Sequence, residues 1–229
     1  MKKFRFKQFE ISQSPQVFRV GTDGVLLGAS ATIHSFRKAL EIGTGTGLIS
    51  LMLAQRNPEL TILAIDINEE AAHLAQENFK NSPFSERLHA QLSDFNLFPT
   101  EENYDLVVSN PPYFEAEESK DLIARHQVTL NFEQLISKSA QVLTSKGILS
   151  VIIPHLASLQ FEQIAEKHRL SLFKKIQIRG IEGGEIKRCI LEFSKTKTEP
   201  IFTEFIIEDS PRKYSAQYQE LTKDFHPMF

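Results

Sequence analysis

The sequence predicts an α/β fold, a doubly wound and mostly parallel sheet with a ligand lying across the carboxyl ends of its strands. Three observations carry this. Short apolar runs recur at Ala39–Ile42, Thr61–Asp66, Leu88–Leu92, Tyr104–Ser109 and Ile148–Ile153, with helical stretches between them, the alternation that builds a parallel sheet. The first run enters a glycine-rich turn, Gly43-Thr44-Gly45-Thr46-Gly47. Successive runs also end in polar groups: Glu41, Asp66, Asp94 and then Asn110. A single acid at a strand end is most simply a helix cap. Four polar ends in succession point to a ligand, because open α/β sheets bind where their strands stop.

The 229 residues, 41% hydrophobic and 24% charged, suit one domain with a substantial core. We divide it into a hairpin and capping segment at 1–30, a core at 36–196 and an extension at 197–229. The lone Cys189 excludes an internal disulfide and any multi-cysteine metal site. No apolar run is long enough to span a membrane or serve as a signal core, so a soluble cytoplasmic protein is expected. The net charge of −3 argues against a generic nucleic-acid binder. Its distribution is uneven, however. From Asn57 to Asp121 there are 14 acidic residues against 3 basic ones, while Lys2, Lys3 and Arg5 open the chain and Lys174, Lys175 and Arg179 lie beyond the acidic stretch. Those six are the candidate phosphate contacts, with a merely solvated surface the alternative.

In chain order, residues 4–20 read as a hairpin, Phe4–Ile11 and Val17–Val20, turned at Ser12-Gln13-Ser14-Pro15. Thr22 or Asp23 then offers an N-cap to a helix from about Gly24 to Ile33, and this turn would close over the ligand. The glycine turn gives tight φ values and close backbone approach, and the helix leaving it offers free N–H groups. A dinucleotide fingerprint would place glycine or alanine where this chain has Leu48. A second helix follows Asn68. Beyond Asn110, the stretch 115–125 is polar, and Arg125 and His126 are candidate substrate contacts. Helices at 131–143 and 156–168 flank the fifth strand. Runs near 172–179 and 187–193 form an antiparallel pair, 201–208 adds a strand, and 214–225 holds a short helix.

The chemistry centres on Asn110-Pro111-Pro112-Tyr113. Two prolines make the strand end rigid. They leave an amide that donates and accepts, carbonyls with no helix to satisfy them, and an aromatic face. Such a turn can grip a planar exocyclic amino group.

Gly-x-Gly-x-Gly after an acid resembles the first motif of the class I S-adenosylmethionine-dependent methyltransferases. Asn-Pro-Pro-Tyr resembles the motif of members that methylate a nitrogen conjugated to a planar system. With Val20-Gly21-Thr22-Asp23-Gly24-Val25-Leu26-Leu27-Gly28-Ala29 and the ending Tyr214-Ser215-Ala216-x-Tyr218-x-x-Leu221-Thr222-x-x-Phe225, nearly the whole chain is similar to the bacterial family that methylates N6 of adenine 37, beside the anticodon of a valine tRNA.

The resemblance implies a Rossmann-like, seven-stranded, mostly parallel sheet with an antiparallel strand near the C-terminus, helices on both faces and a small N-terminal hairpin. It implies S-adenosylmethionine as cofactor, held by Thr22, Asp23, Glu41, Gly43, Gly45, Gly47, Asp66, Asp94 and Asn110. Asp66 would take the ribose hydroxyls and Asp94 the adenine amino group. Asn110, Pro111, Pro112 and Tyr113 would hold the target adenine, with Tyr113 stacking on it. The partner would be tRNA, with neither metal nor membrane, and a monomer is the simpler expectation. Rival readings are methyl transfer to ribosomal-RNA guanine N2, DNA adenine or protein glutamine, and a non-catalytic cofactor- or RNA-binding module.

Overall fold

The computed structural model describes residues 2–33, 35–101, 103–111 and 132–227. A two-stranded hairpin, β1 (Lys2–Arg5) and β2 (Glu10–Gln13), opens the chain. Its turn lies at Phe6–Phe9, where the Phe6 N–H donates to the Phe9 carbonyl (2.8 Å), rather than at Ser12–Pro15. Val17–Val20 forms no strand. The reason is aromatic burial. Phe6 and Phe9 stack at 4.6 Å and are both buried, which outweighs the turn preference of Ser and Pro. Ser12 pairs opposite Lys3 of β1, and its backbone N–H and carbonyl are bonded by the Asn78 side chain where Val17–Val20 would have had to pair.

Helix α1 (Thr22–Ser30) is capped by extended Gly21, without a side-chain cap. Thr22 and Asp23 therefore sit inside its first turn, not at the N-cap. Then follow β3 (Lys38–Ile42), α2 (Leu48–Arg56), β4 (Thr61–Asp66), α3 (Glu69–Lys80), β5 (Leu88–Leu92) and β6 (Tyr104–Ser109). Helix α3 begins where expected, with Asn68 Oδ1 accepting from the Glu70 and Ala71 amides.

The second half adds α4 (Phe132–Val142), β7 (Leu143–Pro154), α5 (Ser158–Lys167), β8 (Ser171–Ile181), β9 (Ile186–Ser194), β10 (Ile201–Ser210), β11 (Lys213–Tyr214) and α6 (Ala216–Thr222). Strand β7 starts at Leu143, five residues before the expected Ile148. Gly147 permits this, since a Cβ there would lie 2.8 Å from the Tyr104 carbonyl.

Nine strands pair in the order β11-β10-β8-β9-β7-β6-β3-β4-β5. The expected seven are β8 to β5 in that order. β9 is the antiparallel member, and β10 and β11 widen the sheet. Alternate residues face opposite layers. Ala39, Leu106 and Val108 join α1, α2 and α3 in one core, while Leu40, Ile42 and Val107 join α4 and α5 in the other. Among the described residues no helix is long and apolar enough to cross a membrane.

Register aligns the strand ends. Ile42 lies opposite both Ile65 and Ser109, and Asp66 lies opposite Leu92. The Gly43 turn, Asp66, Asp94 and Asn110 therefore emerge along one edge.

Candidate functional site

The glycine turn is built from the strand outwards. Gly43, Gly45 and Gly47 take φ values of 71°, 56° and 80°, where a side chain is strained. The Gly43 and Thr44 amides donate to the Ile65 carbonyl at 2.9 and 3.1 Å, which ties the turn to β4. Gly47 has a packing reason too: a Cβ would lie 2.4 Å from the Phe79 ring. A Cβ at Gly43 would meet no atom of the described residues within 4 Å. The space above this turn is open, as a ligand-facing backbone requires.

Glu41 lies beneath the turn. One carboxylate oxygen accepts from the Thr44 hydroxyl (2.9 Å), the Ser50 amide (3.1 Å) and the Ser50 hydroxyl. The other, Oε1, is buried and has no hydrogen-bond partner among the described residues. Burial pushes this carboxyl up to about 7, against the lowering by Ser50 and Thr44 and with a small addition from the Asp66 charge. An orphaned acceptor of this kind fits a ligand that brings its own donor or positive charge.

Asp66 joins two strand ends. Its Oδ2 accepts from the Gly45 amide and its Oδ1 from the Asn68 amide, both at 2.9 Å. Each oxygen retains acceptor capacity for a diol. Asp94, half-buried, accepts from the Asn96 amide at 2.8 Å and caps a 3₁₀ turn over Phe95–Leu97. Exposed Ile67, Leu92 and Leu97 stand beside these two acids. They give an apolar lining that the sequence reading missed. Its signal was an aliphatic residue close to each acid in sequence, Ile67 directly after Asp66, and Leu92 and Leu97 on either side of Asp94.

Asn110 follows β6, half-buried, with Pro111 buried beside it. The Ser109 hydroxyl donates to the Ile42 carbonyl at 2.9 Å, which fixes this end against the glycine turn. Pro112, Tyr113, Arg125 and His126 lie outside the described residues. Asp23 accepts from the Arg188 guanidinium at 3.0 Å, so the first turn of α1 is anchored to β9 near the same edge.

The candidate phosphate contacts all have internal partners, apart from Lys2, whose side chain lies outside the described atoms. Lys3 and Arg5 both pair with Glu10, at 3.0 and 2.7 Å. Lys174 reaches the Ser30 carbonyl (3.0 Å) and Glu192 (3.3 Å). Lys175 reaches Glu162 at 2.7 Å, and Arg179 reaches Glu204 at 3.2 Å.

Comparisons with known proteins agree with this geometry. The methyltransferase small domain family matches residues 14–174. A curated protein of a Flavobacteriaceae bacterium (strain 3519-10), named tRNA1(Val) (adenine(37)-N6)-methyltransferase, is 50% identical over 99% of both chains. A protein of the same name from Bacteroides thetaiotaomicron is 35% identical, over 97% of this chain and 96% of that one. Among solved structures, a predicted O-methyltransferase from Agrobacterium tumefaciens superposes with a TM-score of 0.72 at 18% identity, covering 89% of this chain and 96% of that one. A Pyrococcus furiosus methyltransferase gives 0.61 at 19% identity, covering 82% and 90%. The fold is the one these structures share, and by sequence the chain belongs to the methyltransferase small domain family.

Proposed function

We propose that this protein methylates N6 of an adenine in tRNA, the adenine 37 beside the anticodon of a valine tRNA, with S-adenosylmethionine as donor and in the cytoplasm. The observation that carries the reading is Asn110-Pro111 at the end of β6, held level with the glycine turn by the Ser109–Ile42 hydrogen bond. It occurs in a chain that matches relatives named for this reaction from end to end.

The residues fit the cofactor. Asp66 would take the ribose hydroxyls, Asp94 the adenine amino group between Ile67 and Leu97, and the Gly43–Gly47 backbone the amino-acid portion. The first turn of α1, with Thr22 and Asp23, would close that end, and the unpartnered Oε1 of Glu41 would face it. Bound there, S-adenosylmethionine supplies an electrophilic methyl group.

The protein's task is the nucleophile. An exocyclic amine delocalises its lone pair into the ring and attacks poorly. Accepting its two N–H groups on the Asn110 side-chain oxygen and the Pro111 carbonyl favours a pyramidal nitrogen and holds it in line for transfer. Tyr113 would stack on the extruded base. As the N–C bond forms, the nitrogen becomes acidic and its proton passes to water, so no strong base is needed. Lys3 and Arg5, exposed on the hairpin, are the cations best placed to exchange Glu10 for phosphate.

The test uses labelled S-adenosylmethionine, purified protein and unmodified valine tRNA, with the product digested to nucleosides. Label in N6-methyladenosine that vanishes when adenine 37 is replaced is the expected result. Label only in ribosomal RNA or protein would keep the methyltransferase and discard this substrate. Asn110→Ala should lower transfer by at least about 100-fold while cofactor affinity stays near wild type; equal loss of both would end this division of roles.

A further inference from the structure

Two exposed apolar side chains flank the Asn110 end of β6. The first lies on a strap between β2 and α1. The Ser14 hydroxyl donates to Glu70 at the start of α3 (2.6 Å). Val17 is buried against Ala71 and Leu74 and would be 4.0 Å from a Cβ at Gly45. Asp23 is held by Arg188. The Glu70 and Gly45 anchors follow β4 and β3, and Arg188 lies near the start of the antiparallel β9, opposite Pro154 at the end of β7. In the sheet order, β6 and β7 lie between β3 and β9, so the strap crosses the edge where Asn110 emerges. Phe18, next to Val17 on the strap, is 82% exposed, and Arg19 beside it is exposed as well.

The second side chain follows β7, the neighbour of β6 on the other side from β3. Leu156 is 95% exposed on a 3₁₀ turn over His155–Ala157. That turn is pinned by His155 Nδ1 against Cys189 Sγ (3.3 Å) and by Lys175 against the Ser158 hydroxyl (3.3 Å). Pro154 lies opposite Arg188 in the sheet, with exposed Lys187 adjacent. The strap belongs to the α1–α2 layer and the Leu156 turn leads into the α4–α5 layer. The two side chains thus approach the β6 end from opposite faces.

An aromatic and an aliphatic residue kept in water on pinned segments, each next to cations, suit single-stranded nucleic acid, whose bases stack while its phosphates pair. Extruding an adenine also strips its neighbours of a stacking partner. We propose that Phe18 and Leu156 hold the nucleobases on either side of the adenine being methylated, with Arg19 and Lys187 taking the adjoining phosphates. This rests on the RNA reading above and adds the residues that keep the loop open.

The test is binding of a labelled anticodon stem-loop RNA to the full-length protein, by anisotropy across a salt series, alongside methyl-transfer kinetics. Truncation removes the aromatic platform under one base and the apolar seat under the other. Phe18→Ala and Leu156→Ala should therefore each weaken RNA binding by roughly tenfold, raising KM for RNA with kcat little changed. The salt slope should stay as in wild type, whereas Arg19→Ala should make it shallower. Phe18→Trp should restore binding. Cofactor affinity and melting temperature should not move, since both side chains are on the surface. Unchanged RNA affinity in both alanine variants, with wild-type transfer intact, would overturn the proposal and leave the methylation reading standing. Weakened cofactor binding in place of RNA binding would overturn it as well. A wild-type protein that neither binds nor methylates RNA would overturn both.

Discussion

The Lys174 ammonium lies 3.3 Å from a carboxylate oxygen of Glu192, a residue with no exposure to solvent. Glu192 also accepts from the Thr32 amide (2.7 Å), the Thr32 hydroxyl (2.6 Å) and the Ser150 hydroxyl (3.1 Å). It joins the segment after α1 to the centre of the sheet. The charge of Lys174, read from sequence as a phosphate contact, balances a buried acid. Breaking a buried pair costs about 3–5 kcal/mol, and less where one partner is partly in water. Lys174→Met should therefore lower stability by roughly 1–3 kcal/mol in denaturant titration while leaving KM for RNA unchanged. A raised KM without destabilisation would return Lys174 to the RNA face.

Gly43 and Gly47 separate ligand space from packing. Both have positive φ, which costs a substituted residue about 1–2 kcal/mol. Only Gly47 also faces a ring at 2.4 Å. Gly43→Ala should remain folded, with a modest stability loss, yet bind cofactor at least about tenfold more weakly. Gly47→Ala should lose roughly 3 kcal/mol or more through overpacking. Thermal melts and calorimetry with the cofactor distinguish them, and equal stability losses would show that Phe79 moves aside.

Asp66 has two tasks, one toward the Gly45 amide and one toward a diol. Hydrogen bonds to a charged group contribute about 1.5–3 kcal/mol each. Asp66→Ala should weaken cofactor binding by roughly 10- to 100-fold. Asp66→Asn, which keeps one oxygen acceptor, should fall between it and wild type. Unchanged affinity in the alanine variant would remove Asp66 from the site.

Glu41 gives a pH dependence of definite sign. Its carboxyl is raised by burial from 4.5 to about 7, so between those values the folded protein holds a proton that the unfolded chain has released. Stability from this group is complete below the unfolded value and falls as pH rises toward 7. At about 1.4 kcal/mol per unit the loss is about 3 kcal/mol. Glu41→Gln stays neutral throughout. In cofactor-free protein the wild type should lose about 2–3 kcal/mol more than the variant between roughly pH 5 and pH 8. Parallel stability curves would show that the buried carboxyl does not titrate there.

What the sequence made legible was local. Strand ends, glycine spacing and Asn110-Pro111 are written in neighbouring residues, and the register then brings them to one edge. What escaped depends on distant partners. The first turn is set by Phe6 on Phe9, where Ser-Gln-Ser-Pro carried the stronger turn preference. Lys174, Lys175 and Arg179 read as free cations because Glu192, Glu162 and Glu204 are 13 to 25 residues away along the chain. Ile67 and Leu97 resemble core residues until the sheet edge leaves them uncovered.

The opening hairpin is closed by residues made about two hundred positions later. The Lys7 amide donates to the Phe225 carbonyl at 2.8 Å, and the His226 ring lies 5.9 Å from Phe6. During synthesis the glycine turn, its acids and Asn110 are all complete well before that tail leaves the ribosome. The strap over them hangs from that hairpin at one end, so the last-made residues of the chain complete the support of the segment that crosses its cofactor edge.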